Sequence, residues 1–259
     1  MNRLKYTLTD KSLKLRGQIV TKGKKMFVQV NERNKITQND IMAEEKYHKI
    51  RIHNAYATVA MKNSELTLEQ VFDIVNDEYT GLARNEILAV KNAYEAYKQL
   101  FYHHFINRIS VDPYSIPQMQ NIHRAFMAGL SKEAGLFRSD ISAEKMQRNV
   151  GDLIEWVKES KEPMLIKACV FHYEFISISP FSEGSEYIAR MWQMLLVHQK
   201  KGDYVYFRVP VLNVLRKRRQ EYYDILAIAD KAVGCTIFIE FMLQVILDAI
   251  TEFEKGSSL

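Results

Sequence analysis

Apolar residues recur every three or four positions along most of this 259-residue chain, from about residue 40 to near its end. This spacing is typical of helices that bury one face, whereas strands alternate apolar and polar residues. The pattern is clearest in residues 87–101, 146–157, 164–176, 186–198 and 237–250. The chain has only 10 glycines and 5 prolines, few turn formers for a fold of many short strands. The sequence therefore predicts a mainly α protein.

The N-terminal segment, residues 1–35, has a different pattern. Residues 13–16 and 27–30 alternate apolar and polar side chains on either side of Lys22–Lys24, which contains a glycine. Alternation around such a turn is typical of a β-hairpin. We therefore expect a small hairpin at the N-terminus, ahead of the helical part of the chain.

Neither a membrane span nor a secretion signal is visible in the sequence. No apolar run reaches about 18 residues, and Met1–Tyr6 lacks the apolar segment of a signal peptide. The two cysteines, Cys169 and Cys235, lack metal-site spacing and are too few for a disulfide framework. We expect a cytoplasmic protein with buried thiols and no membrane partner.

The net charge of +5 raises the question of nucleic-acid binding. The densest basic cluster is Arg216–Arg219, and acidic Glu221 and Asp224 follow it within two helical turns. No zinc-finger spacing or aromatic RNA-binding motif accompanies the cluster. We interpret it as a solvated helix face and do not expect a nucleic-acid partner.

The most informative stretch is the break between two predicted helices around residue 180. Pro180 ends the first helix, and Ser182–Ser185 form a polar turn whose last serine can cap the helix that begins near Glu186. Backbone N–H groups at a helix N-terminus bind anions, and Glu183 could hold a metal that bridges phosphates. From the residues alone, an anion site and a simple helix–turn–helix joint are both consistent with this stretch.

The stretch Ser179–Arg190 resembles the signature loop of the Fic (Fido-fold) family, His-Pro-Phe-x-Asp/Glu-Gly-Asn-Gly-Arg-x-x-Arg. Further matches follow the family's order from about residue 50 to residue 250: Thr58–Asn63, Gly135–Arg138, Glu162–Ala168, His172–Phe175 and Arg219–Leu226. The resemblance implies the mainly α Fic/Fido fold. It divides the chain into the N-terminal segment, a helical region over residues 36–110 and a Fic core over residues 111–259.

Fic proteins typically transfer AMP from Mg·ATP to a protein hydroxyl, and the resemblance implies a role for each position of the loop. Ser179 stands where the family has a histidine as general base, and Glu183 stands at the metal-binding carboxylate. The nucleotide-binding positions are Gly184, Ser185, Glu186, Tyr187 and Arg190. Glu183, Gly184 and Arg190 keep the family's residue types, whereas Ser179, Ser185, Glu186 and Tyr187 do not.

These departures disfavour the family's reaction. The Ser179 hydroxyl is too weak a base near pH 7, and loss of a positioned base costs on the order of 10²–10⁴ in rate. Ser185 replaces an asparagine, Glu186 a glycine and Tyr187 an arginine, so the loop gains a negative charge and loses a positive one. Two like charges about 4 Å apart repel by about 4 kcal/mol at an effective dielectric constant of about 20. The nearest preceding histidine, His172, lies on an apolar stripe, and we expect it to be a packed residue.

The family's inhibitory helix, Ser/Thr-x-x-x-Glu-Gly/Asn, is matched by Thr58, Lys62 and Asn63. Its glutamate, which pairs with the second arginine of the loop in the family, is Lys62 here. We hypothesise that Lys62 meets Glu183 or Glu186, while Glu186 and Arg190 pair at i and i+4. The former nucleotide pocket would then be filled and neutralised by the chain's own side chains.

The family's β-hairpin flap, which pairs with the target's backbone, has little room in this sequence. Only Ser139–Gln147 separates Arg138 from the next helical pattern. We therefore expect a short or absent flap, which would remove a strand edge for docking an extended peptide.

Two functions remain open from the sequence. The first is a Fic-domain pseudoenzyme retained as a binding or regulatory module, which needs no cofactor, has a protein partner and can self-associate into a homo-oligomer. The alternative is a divergent Fic enzyme that transfers AMP, or another phosphate-containing group, with Mg and ATP as cofactors. Glu183 and Arg190 would still act in that enzyme.

Overall fold

The computed structural model describes residues 4–34, 40–62, 65–78, 81–105, 111–140, 142–197, 209–232 and 234–256, and within these ranges the regular structure is helical. The helices of the N-terminal half are α1 (Asp10–Asn34), α2 (Asp40–Ala60), α3 (Leu68–Val75), α4 (Arg84–Phe105) and α5 (Ile116–Met127). Those of the C-terminal half are α6 (Ala143–Glu159), α7 (Met164–Ile178), α8 (Ser185–Val197), α9 (Val211–Lys217), α10 (Arg219–Ala232) and α11 (Thr236–Glu254). The prediction of a mainly α fold is confirmed.

The predicted N-terminal hairpin is wrong, because α1 continues through Lys22–Lys24. Leu15, Ile19 and Met26 are buried along one side of α1, which packs against α11. A glycine inside a helix costs only about 1 kcal/mol, and burial of these three side chains offsets that cost. The alternation around Leu13 does not mark a strand face, because Leu13 is 45% exposed whereas Leu15 is buried.

The five helices expected from periodicity lie in α4, α6, α7, α8 and α11, although residue 198 is outside the described residues. The prediction that α8 is buried almost all round is confirmed over Ile188–Val197, where every residue is buried, Arg190 and Gln193 included. Cys169 and Cys235 are buried thiols, as expected. None of the described helices is both long enough and apolar enough to cross a lipid bilayer.

Two compact units make up the fold. The first unit comprises Met1–Met42, Glu159–Glu174 and Ala189–Leu259, and the second comprises Ala43–Lys158 and Phe175–Ile188. In the first unit, α11 packs against α1, α9 and α10. In the second, α4 packs against α3 and α5. A capping box at Thr67 begins α3, and a side-chain cap at Ser115 begins α5. The loop that follows α7 belongs to the second unit.

Candidate functional site

The loop between α7 and α8 is tightly folded. Ser179 ends α7 in the left-handed conformation, with φ of 45°, and its N–H donates to the carbonyl of Phe175 at 3.0 Å. The Ser185 hydroxyl accepts from the N–H of Phe181 at 3.0 Å and lies 3.1 Å from the Phe181 carbonyl. Ser185 is therefore the first residue of α8 and ties the loop together, rather than preceding the helix as the cap that the sequence suggested.

The side chain of His123 on α5 anchors this loop through hydrogen bonds and ring stacking. The N–H of Gly135 donates to His123 Nδ1 at 2.9 Å, so the ring carries its proton on Nε2, which donates to the Glu183 carbonyl at 2.8 Å. The ring also stacks on Phe181, with centroids 3.7 Å apart and planes 5° apart. Burial lowers the pKa of His123 to about 4, so the residue is neutral at pH 7 and both nitrogens are engaged.

Gly184 is required by the same arrangement. Its φ is 81°, and a Cβ at this position would lie 3.1 Å from both His123 Nε2 and Met127 Sδ. An L-residue would therefore be strained by its backbone and crowded by its neighbours. The sequence analysis identified Gly184 but missed His123. The one indication of its role in the sequence is that a polar histidine lies among the apolar residues of α5.

The segment before α6 forms another side of the loop. The N–H of Arg138 donates to the Pro180 carbonyl at 2.8 Å, and Phe137 packs against Phe181. Glu133 accepts hydrogen bonds from the hydroxyls of Ser182 and Ser139. Helix α6 already begins at Ala143, so the connection after Arg138 is short, as the sequence suggested for the flap.

Lys62 lies in the turn after α2 and reaches the N-terminus of α8. Its Nζ is 3.5 Å from Glu186 Oε1 and 5.0 Å from the centroid of the Tyr187 ring. Of the two carboxylates that the sequence offered to Lys62, the structure thus brings Glu186 to it, whereas the Glu183 side chain is exposed. The negative charge that replaces the family's glycine is compensated from within the chain.

Tyr187 is fixed by a series of buried contacts. It stacks on Phe126, with centroids 5.6 Å apart, and Phe126 meets Tyr97 edge-on at 5.9 Å. The Tyr97 hydroxyl lies 2.9 Å from Thr58 Oγ1, and the pair is buried. Thr58 therefore supports this aromatic wall from α2, while Asn63, the third residue matched to the inhibitory helix, lies outside the described residues.

Arg190 lies in the first unit, where it is buried. Together with His172 and Gln193 it lines a mainly apolar cavity of about 20 Å³, room for one water molecule. His172 Nδ1 contacts Gln193 Oε1, and His172 Nε2 lies 2.9 Å from the Tyr222 hydroxyl. His172 is thus a packed, hydrogen-bonded residue. The pairing of Glu186 with Arg190 stays a prediction.

The basic cluster Arg216–Arg219 is extensively paired with nearby groups. Arg218 binds Glu221 through two nitrogens and Asp248 through a third, at 2.7 to 3.0 Å. Lys217 binds Glu252 at 3.0 Å, and the Arg219 guanidinium lies over the Tyr223 ring. These contacts favour a solvated helix face, and the expectation of no nucleic-acid partner stays a prediction.

The N-terminus of α8 and the loop before it carry acidic side chains. A triphosphate at this helix end would meet the Glu186 carboxylate in the first turn and the exposed carboxylate of Glu183. Glu133, bound to Ser182, adds a third acidic side chain on the same loop. Within the described ranges, no three His, Cys, Asp or Glu side chains gather into a metal-ligand cluster.

Comparison with known proteins places this geometry in context. Residues 113–197 match the model of the Fic/DOC family. A Fic family protein from Desulfovibrio desulfuricans is 28% identical over 98% of this chain and 77% of its own, with a TM-score of 0.82. A Fic-1 fragment from C. elegans is 19% identical over 93% of this chain and 71% of its own, with a TM-score of 0.73. A Fic domain-containing signaling protein from Bacteroides thetaiotaomicron is 15% identical over 94% of this chain and 98% of its own, with a TM-score of 0.69.

Proposed function

Because this chain is a Fic-family protein, we propose that it is a member that does not transfer AMP and acts instead as a binding or regulatory module. The observation that carries the proposal is the ion pair of Lys62 with Glu186. It puts an acidic side chain, already neutralised by a lysine of the same chain, at the helix end where the family resemblance expects nucleotide phosphates.

The hydrogen bonds of His123 and His172 support the proposal. His123, in the same unit as the loop, is hydrogen-bonded to Gly135 and Glu183. His172 is held by Gln193 and Tyr222. A hydroxyl nucleophile needs an adjacent base that takes up its proton. Both imidazoles already have hydrogen-bond partners on each nitrogen.

The charge of Glu186 gives the reason why a phosphate would bind weakly here. A phosphate about 4 Å from Glu186 would be repelled by about 4 kcal/mol at an effective dielectric constant of about 20, which weakens binding roughly a thousandfold. Lys62, 3.5 Å from the Glu186 carboxylate, offsets part of that repulsion. Tyr187, in the place of an arginine, offers a phosphate no charge-assisted hydrogen bond.

A divergent transferase is the second candidate. It is favoured by the exposed Glu183 carboxylate and by the retained turn at Gly184. In such an enzyme Glu183 would hold the metal and Arg190 would contact the donor. The donor would be ATP or another phosphate-containing molecule.

Nucleotide binding and AMP transfer separate the two candidates. We expect Mg·ATP to leave the melting temperature of the wild-type protein unchanged, whereas ligand at 100 times its Kd would stabilise the protein by about 2.7 kcal/mol. We also expect no AMP on the protein itself or on lysate proteins, measured with labelled ATP and by mass spectrometry. Transfer by the wild-type protein would overturn the proposal.

Two variants of Glu186 show whether its charge or its bulk excludes the nucleotide. Glu186→Gln removes the charge, and Glu186→Gly removes both charge and bulk. We expect a thermal upshift with Mg·ATP to appear in the glycine variant and to be smaller in the glutamine variant. Glu155→Gln, at an exposed position of α6, removes the same charge far along the chain from the loop and should behave like wild type.

A further inference from the structure

We draw no further inference here: the strongest candidate, the mainly apolar cavity of about 20 Å³ that His172, Arg190 and Gln193 line in the first unit, has room for one water molecule only, and its Arg190 belongs to the site already described.

Discussion

At the scale of single residues, the loop depends on a histidine that must stay neutral. His123 accepts from Gly135 through Nδ1 and donates to Glu183 through Nε2. Protonation of Nδ1 would convert an acceptor into a second donor facing an N–H group, and a positive charge would be buried under Phe181. The same contacts that fix the loop therefore make it sensitive to acid.

The pH dependence of stability tests this role of His123. Burial lowers the pKa of His123 from 6.5 to about 4, so the unfolded chain binds the proton first as the pH falls. The free energy of unfolding should therefore fall between pH 6.5 and pH 4, by up to about 3 kcal/mol from this group. Denaturant titrations at several pH values would measure the slope.

His123→Asn is the matched variant for this measurement, because its amide can still accept from the N–H of Gly135 but does not titrate. Its unfolding free energy should depend less on pH in the same range. Burial also lowers the pKa of His53, which leaves a residual slope in both proteins. A slope identical to that of wild type would contradict the assigned role.

Gly184 gives a second residue-scale prediction. Gly184→Ala should destabilise the protein by about 1–3 kcal/mol, because φ is 81° and the new Cβ would lie 3.1 Å from His123 and Met127. Gly151→Ala on α6 is the control, since nothing lies within 4 Å of its Cβ. Alanine should stabilise that helix by about 0.5–1 kcal/mol. Thermal or denaturant unfolding of the two variants would give the opposite signs that this reasoning requires.

At the level of secondary-structure elements, tertiary packing decides whether the sequence of α1 forms a hairpin or a helix. A hairpin would place Leu13 and Leu15 on one face of a strand. In the helix they point in different directions, so Leu15 is 6% exposed and Leu13 is 45% exposed. The choice between these structures depends on α11, more than 200 residues later in the chain, which supplies the apolar surface that covers α1.

Two leucine substitutions test that assignment with the same chemical change. Leu15→Ala should lower the free energy of unfolding by about 2–4 kcal/mol, because a cavity replaces buried methyl groups between α1 and α11. Leu13→Ala should change it by less than about 0.5 kcal/mol. Similar losses at both positions, measured by denaturant unfolding, would favour the strand face over the helix.

At the level of the whole molecule, each of the two units pairs basic side chains with acidic ones. The net charge of +5 does not collect into a bare basic surface at Arg216–Arg219, where Arg218 alone contacts Glu221 and Asp248. In the other unit, the Lys62 ammonium pairs with the Glu186 carboxylate. Lys62 and Glu186 are thus a pair of opposite charges within one unit.

Sequence patterns alone were enough to predict five of the helices and to identify the loop. The spacing of apolar residues is a local property of the sequence, so α4, α6, α7, α8 and α11 were predictable from it. The resemblance to the family's motif likewise identified Ser179, Glu186 and Tyr187 as altered positions. Three features depend on long-range packing instead: the helical conformation of α1, the contact of Lys62 with Glu186, and the hydrogen bonds of His123 to the loop. These contacts join residues 60 or more positions apart, and no local pattern encodes which distant side chains will share one space.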